Sequence, residues 1–87
     1  MGSDMEYLAL FEPADQGGFV VSFPDFGGGA SIGANDIQAI DKAKDLLRRL
    51  VQERIREGET LPRPGLWRGR DFRVVRLPDS LSSKPQS

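Results

Sequence analysis

Neither histidine nor cysteine occurs among the 87 residues. The commonest general base, the commonest metal ligand and the thiolate nucleophile are all missing. Chemistry is left to thirteen carboxylates, twelve Lys or Arg side chains, one tyrosine and the hydroxyls. Their distribution is lopsided. From Met1 to Asp41 there are seven acids (Asp4, Glu6, Glu12, Asp15, Asp25, Asp36, Asp41) and no base; from Lys42 onward twelve bases meet six acids. The halves carry −7 and +6, giving the net −1. Such a split suits one face of the molecule to a basic partner, unless a small fold interleaves the halves and the field cancels. On the acidic side, Glu12, Asp15, Asp25 and Phe26 form a candidate partner-binding set, because an aromatic flanked by acids suits a protein interface. The alternatives are that Asp25 caps a turn and Phe26 fills the core.

The basic side offers a second candidate. Arg63, Arg68, Arg70, Arg73 and Arg76 follow closely, with Trp67 and Phe72 between them, a pattern that can touch nucleic acid. The set for that reading is Arg68, Arg70, Arg73 and Arg76. Arg73 and Arg76 fall on opposite faces of a strand, so a charged, self-protecting edge strand is the competing reading. The run Gly27-Gly28-Gly29 lacks the Gly-Lys-Ser/Thr of a phosphate loop and reads as a bend.

These residues sit on recognisable elements. Glu6 to Glu12 is a strand closed by Pro13, and Gly18 to Phe23 is a second strand stopped by Pro24. The turn between them contains Asp15 and Gly17-Gly18, so the two form an antiparallel hairpin. Ala30 to Gly33 is a short third strand. A helix is predicted over Asn35 to Glu57, roughly 34 Å long. Asn35 is its N-cap, Gln38 completes a capping-box pattern, and Gly58 stops it. Its apolar stripe is Ile40, Ala43, Leu47, Leu50 and Val51, widened by Ala39 and Leu46. Lys42, Asp45, Arg48, Arg49, Gln52 and Arg56 take the opposite face. A connector from Leu61 to Gly69 with Trp67 leads to a fourth strand, Asp71 to Leu77.

The order β-β-β-α-β predicts an α+β, two-layer sandwich with sheet order 3-2-1-4. The helix is expected to act as a right-handed crossover that lays the last strand parallel to the first. One domain is expected over 6–79, with a tag or disordered terminus over 1–5 and a frayed tail over 80–87. At this size only roughly 60% of the unfolded surface is buried. In the first strand Tyr7, Ala9 and Phe11 point one way, and Leu8 and Leu10 the other. Both faces are apolar, and one helix covers one face. The second face needs the connector, a second copy of the chain, or another protein.

A β-β-β-α-β start is shared with ribonuclease H folds, which hold two metal ions on acids in the first and fourth strands. Leu8-Ala9-Leu10 and Phe72 to Arg76 supply none, so no enzyme, metal or cofactor is expected.

Three segments resemble one family. Glu12 with Gly17 to Asp25 resembles the signature hairpin of HicB-type antitoxins. Gly33 to Ile40, then Ala43 and Leu46-Leu47, resembles its helix start, and Gly58 to Pro64 its helix exit. The match runs from about Tyr7 to Pro64. The resemblance implies a short-form member with a partial ribonuclease H-like fold. Its partner would be a small basic HicA-type toxin, an RNA-cleaving protein blocked by occlusion. No apolar run approaches the roughly 20 residues of a membrane span and no signal-peptide pattern occurs, so the cytoplasm without membrane association is expected, and the uncovered sheet face suggests a homodimer or tetramer. Phe26-Gly27-Gly28 departs from the family's usual Pro-Gly step. The segment Phe72 to Leu81 resembles a strand opening a ribbon-helix-helix, but the two helices that complete such a module do not follow it, so it reads as the fourth strand of the main sheet and DNA binding is not expected to be autonomous.

Overall fold

The computed structural model describes residues 6–27 and 29–76. Strand β1 (Glu6–Pro13) pairs antiparallel with β2 (Phe19–Ser22). The Ala14 N–H donates to the Gly18 carbonyl at 3.0 Å and closes the hairpin turn. Pro24 cannot donate to a ladder, so β2 ends there and a single 3-10 turn, Pro24–Phe26, follows. Strand β3 (Ala30–Gly33) lies antiparallel along β2. Helix α1 (Asp36–Arg56) and strand β4 (Phe72–Arg76) complete the chain's order. The sheet order is β3-β2-β1-β4, with α1 packed on one side. This is the predicted two-layer α+β architecture. The expected termini over 1–5 and 80–87, and the expected strand end at Leu77, lie outside the described residues.

The direction of β4 differs from expectation. It runs antiparallel to β1, with Leu10 opposite Phe72 and Glu6 opposite Arg76. The reason is the connector. Helix α1 leaves the end of β3 and returns roughly 31 Å to the end of the sheet where β1 begins. A parallel strand would start there. Instead the fifteen residues 57–71 travel back along the sheet. Fifteen residues reach up to roughly 50 Å, more than any strand here is long. β4 therefore starts at the opposite end and descends beside β1.

Both ends of α1 are chemically defined. The Asn35 side chain accepts the Gln38 N–H at 2.9 Å, and Gln38 Oε1 accepts the Ala34 N–H at 2.8 Å. The return bond falls one residue short of the usual box but still satisfies a donor the helix start leaves open. At the far end Glu59 N–H donates to the Arg54 carbonyl and Gly58 N–H to that of Ile55. With Gly58 at φ +72°, this is a Schellman termination.

The core lies between the sheet and α1. Tyr7, Ala9, Phe11, Val21, Phe23, Phe26 and Val75 meet Ala39, Ala43, Leu46, Leu47 and Val51. The buried stripe of α1 is thus centred on Ala39, Ala43 and Leu46–Leu47, while Ile40 turns toward solvent. Small residues at the helix start let it press onto β3. A Cβ built on Gly33 would stand 2.5 Å from the Ala39 backbone, so glycine is required there by space alone.

Candidate interaction surface

The face of the sheet away from α1 can be read from the register. Cross-strand partners share a face. Leu8 stands opposite Val74, Leu10 opposite Phe72 and Val20 opposite Ile32. None of these six belongs to the core. Leu8, Leu10, Val20 and Phe72 are half-buried, Ile32 is 66% exposed and Val74 60% exposed. They make an apolar band across all four strands. At one end the Arg76 guanidinium grips Glu6 Oε2 at 2.9 Å; at the other, exposed Glu12 shares the face through its pairing with Val20.

The connector borders this band. Its Trp67 indole stacks on Phe72 with centroids 6.0 Å apart and planes 13° from parallel. Two polar ties hold the segment. The Tyr7 hydroxyl donates to the Pro62 carbonyl at 2.7 Å. The Asp25 carboxylate accepts the Gly65 N–H at 3.0 and 3.1 Å and the Trp67 indole N–H at 3.0 Å. Between Gly65 and Trp67, Leu66 is 94% exposed. Burial pushes the Tyr7 phenol above its ordinary pKa of 10.0, the Asp25 charge pushes the same way, and Arg54 opposes both. The neutral donor form of Tyr7 is therefore held to higher pH.

The four acidic-side candidates do not converge. Glu12 and Asp15 are exposed at or beside the hairpin turn. Asp25 and Phe26 follow the other end of β2. One strand of four residues, roughly 13 Å, separates the pairs. Phe26 is 7% exposed and belongs to the core, so of its two readings the structure gives the core one and corrects the exposed contact ring. It meets Tyr7 edge-on at 4.9 Å, and the Arg54 guanidinium stands over it at 5.3 Å while donating to its carbonyl. Asp25 is a turn residue whose carboxylate ties down the connector, and that second role was not read from sequence. An acid immediately after Pro24 signals a cap, but its partners lie 40 and 42 residues away.

The basic-side candidates also divide. Arg73 stands 4.8 Å over Phe11 and 5.8 Å over Phe19 and pairs with Asp36 at 3.3 Å, on the α1 side. Arg76 is on the other face with Glu6. Arg68 and Arg70 are exposed beside Trp67.

Among the described residues no group of three or more acidic, histidine or cysteine side chains is placed to hold a metal ion. No helix among them is long and apolar enough to cross a membrane. The geometry presents an apolar band on the sheet face away from α1. No family model matches the chain. Among solved structures it is similar to a toxin-antitoxin complex from Streptococcus pneumoniae, with a TM-score of 0.74 and 20% identity. That likeness covers 98% of this chain and 78% of the other, and it shows the fold. In sequence the chain is 33% identical over 81 residues to Antitoxin HicB 1 of Photorhabdus laumondii subsp. laumondii. The resemblance to HicB-type antitoxins, drawn from the hairpin and the two helix ends, thus extends over 93% of the chain. The chain spans half the length of that curated relative.

Proposed function

We propose that this chain acts as an antitoxin that neutralises a small basic RNA-cleaving toxin of HicA type by direct binding, without catalysis of its own. The observation that carries the reading is the apolar band of Leu8, Leu10, Val20, Ile32 and Val74 on the sheet face away from α1. A specific interface of ordinary size buries about 800 Å² on each partner, and this face is the broad apolar surface available among the described residues. Glu12 and Asp15 stand at one margin, where exposed carboxylates speed encounter with a basic protein. Asp25 and Phe26 contribute from the opposite end of the hairpin. Asp25 fixes Trp67 at the border of the face, and Phe26 seats the turn that carries Asp25. Occlusion then follows from size, since a docked sheet shields the toxin surface from RNA. The same apolar face accounts for self-association into a homodimer or tetramer when the toxin is absent. The cytoplasm, where such a toxin meets RNA, is the compartment this function requires.

The test is co-expression with a small basic RNA-cleaving toxin of HicA type. The expected result is a co-purifying complex and rescue of growth. A toxin that neither co-purifies nor loses RNA cleavage in the presence of excess chain overturns the reading.

A further inference from the structure

Trp67 stands on the connector, at the border of the apolar face. The indole is stacked on Phe72, its N–H is held by Asp25, and 42% of the residue remains exposed. The plane is thus fixed before anything binds, which removes most of the ordering cost of a stacking contact. Around it in the chain stand Arg63, Arg68 and Arg70, all exposed. None of the three makes an ion pair or ring contact among the described residues, whereas Arg73 and Arg76 are engaged with Asp36 and Glu6. A fixed, half-exposed aromatic with exposed arginines close by in the chain, free of ion pairs among the described residues, is the chemistry that holds an unstacked base and its flanking phosphates.

We infer that the connector is a docking site for single-stranded nucleic acid, with one base on Trp67 and phosphates on Arg63, Arg68 and Arg70. A single strand is favoured over a duplex because the contact is a stacking platform on a loop, and the bases of a duplex are already stacked. The site reads no sequence: neither the indole nor the guanidinium groups select a base edge.

Trp67 is the one tryptophan of the chain, so its fluorescence reports on this site alone. The full chain is titrated with an oligothymidylate of about 12 nucleotides, a size within one small domain's footprint. The matching duplex and polyglutamate are titrated in parallel. The expected result is quenching of Trp67 by the single strand, with binding that weakens with salt at a log–log slope of about −2 for three phosphates. By anisotropy of the labelled strand, Trp67→Leu weakens binding about fivefold or more. Arg68→Gln with Arg70→Gln, on side chains that hold nothing else, brings the slope to about −0.7. Lys42→Gln with Arg49→Gln, exposed cations on α1, leaves quenching and slope unchanged. Should Trp67→Leu fail to fold, the arginine pair decides. Unchanged Trp67 emission at saturation, equal binding of the duplex or polyglutamate, or no binding at about 25 mM salt overturns the inference.

Discussion

The Asp25 carboxylate accepts the Trp67 indole N–H at 3.0 Å across 42 residues of chain. The same carboxylate takes the Gly65 N–H. One side chain after β2 therefore fixes where the connector runs, and the connector in turn sets the starting point of β4. Removing the acceptor strands the part-buried Gly65 N–H, at a cost of about 1–3 kcal/mol, and releases the exposed Trp67 indole N–H to solvent. Asp25→Ala is expected to lower stability by an amount in that range and to shift Trp67 emission toward that of a freely solvated indole. Denaturant unfolding followed by fluorescence checks both. Emission identical to that of the parent chain would mean the tie does not hold in solution.

Tyr7 supplies the second tie, and its chemistry gives a pH signature. Its folded-state pKa is raised above the ordinary 10.0, chiefly by burial and then by the charge of Asp25. The unfolded chain therefore loses this proton first as pH rises. The stabilising contribution is complete below pH 10 and is lost as pH climbs through the raised value. Tyr7→Phe deletes the bond to Pro62, worth about 0.5–1.5 kcal/mol near neutrality. It also removes this share of the alkaline loss. Melting curves of both proteins between about pH 8 and pH 11 should converge at the alkaline end. A constant gap across the range would contradict the assignment.

Gly33 is a test of close packing alone. Its φ is ordinary, yet a Cβ would collide with the Ala39 backbone at the start of α1. Gly33→Ala is expected to cost about 1–3 kcal/mol, the range for overpacking. Ala substitution of exposed Ile37 should stay within about 0.5 kcal/mol. Thermal unfolding of the two variants side by side measures the contrast.

These particulars show what could be read in the residues and what could not. Pro13, Pro24, Asn35 and Gly58 punctuate the chain locally, and each element boundary they imply is observed within a residue or two. The sheet order followed as well, because short connections between strands leave few choices. The direction of β4 did not. It depends on whether residues 57–71 turn at once or travel the length of the sheet, and the travelling path is secured by the Pro62 and Asp25 contacts, which are remote in sequence. The burial of Phe26 was one of two readings the residues left open. Its neighbours Asp25 and Gly27 mark a surface turn, while its ring is drawn inward by Tyr7 and Arg54. The unfilled second face was legible, since alternation in β1 put Leu8 and Leu10 opposite Tyr7, Ala9 and Phe11. Its partial cover by Trp67 was one of several alternatives that sequence left open.

The central claim is that the band opposite α1 is where the toxin docks. Ile32 and Val74 are its two most exposed members, on the two outer strands, so charging them leaves the core untouched. Calorimetric titration of the toxin into the chain carrying Ile32→Glu and Val74→Glu tests the claim most directly. The account predicts an unchanged melting temperature within about 0.5 kcal/mol of stability and a loss of affinity of at least about tenfold. A doubly charged chain that binds the toxin as tightly as the parent would place the interface elsewhere.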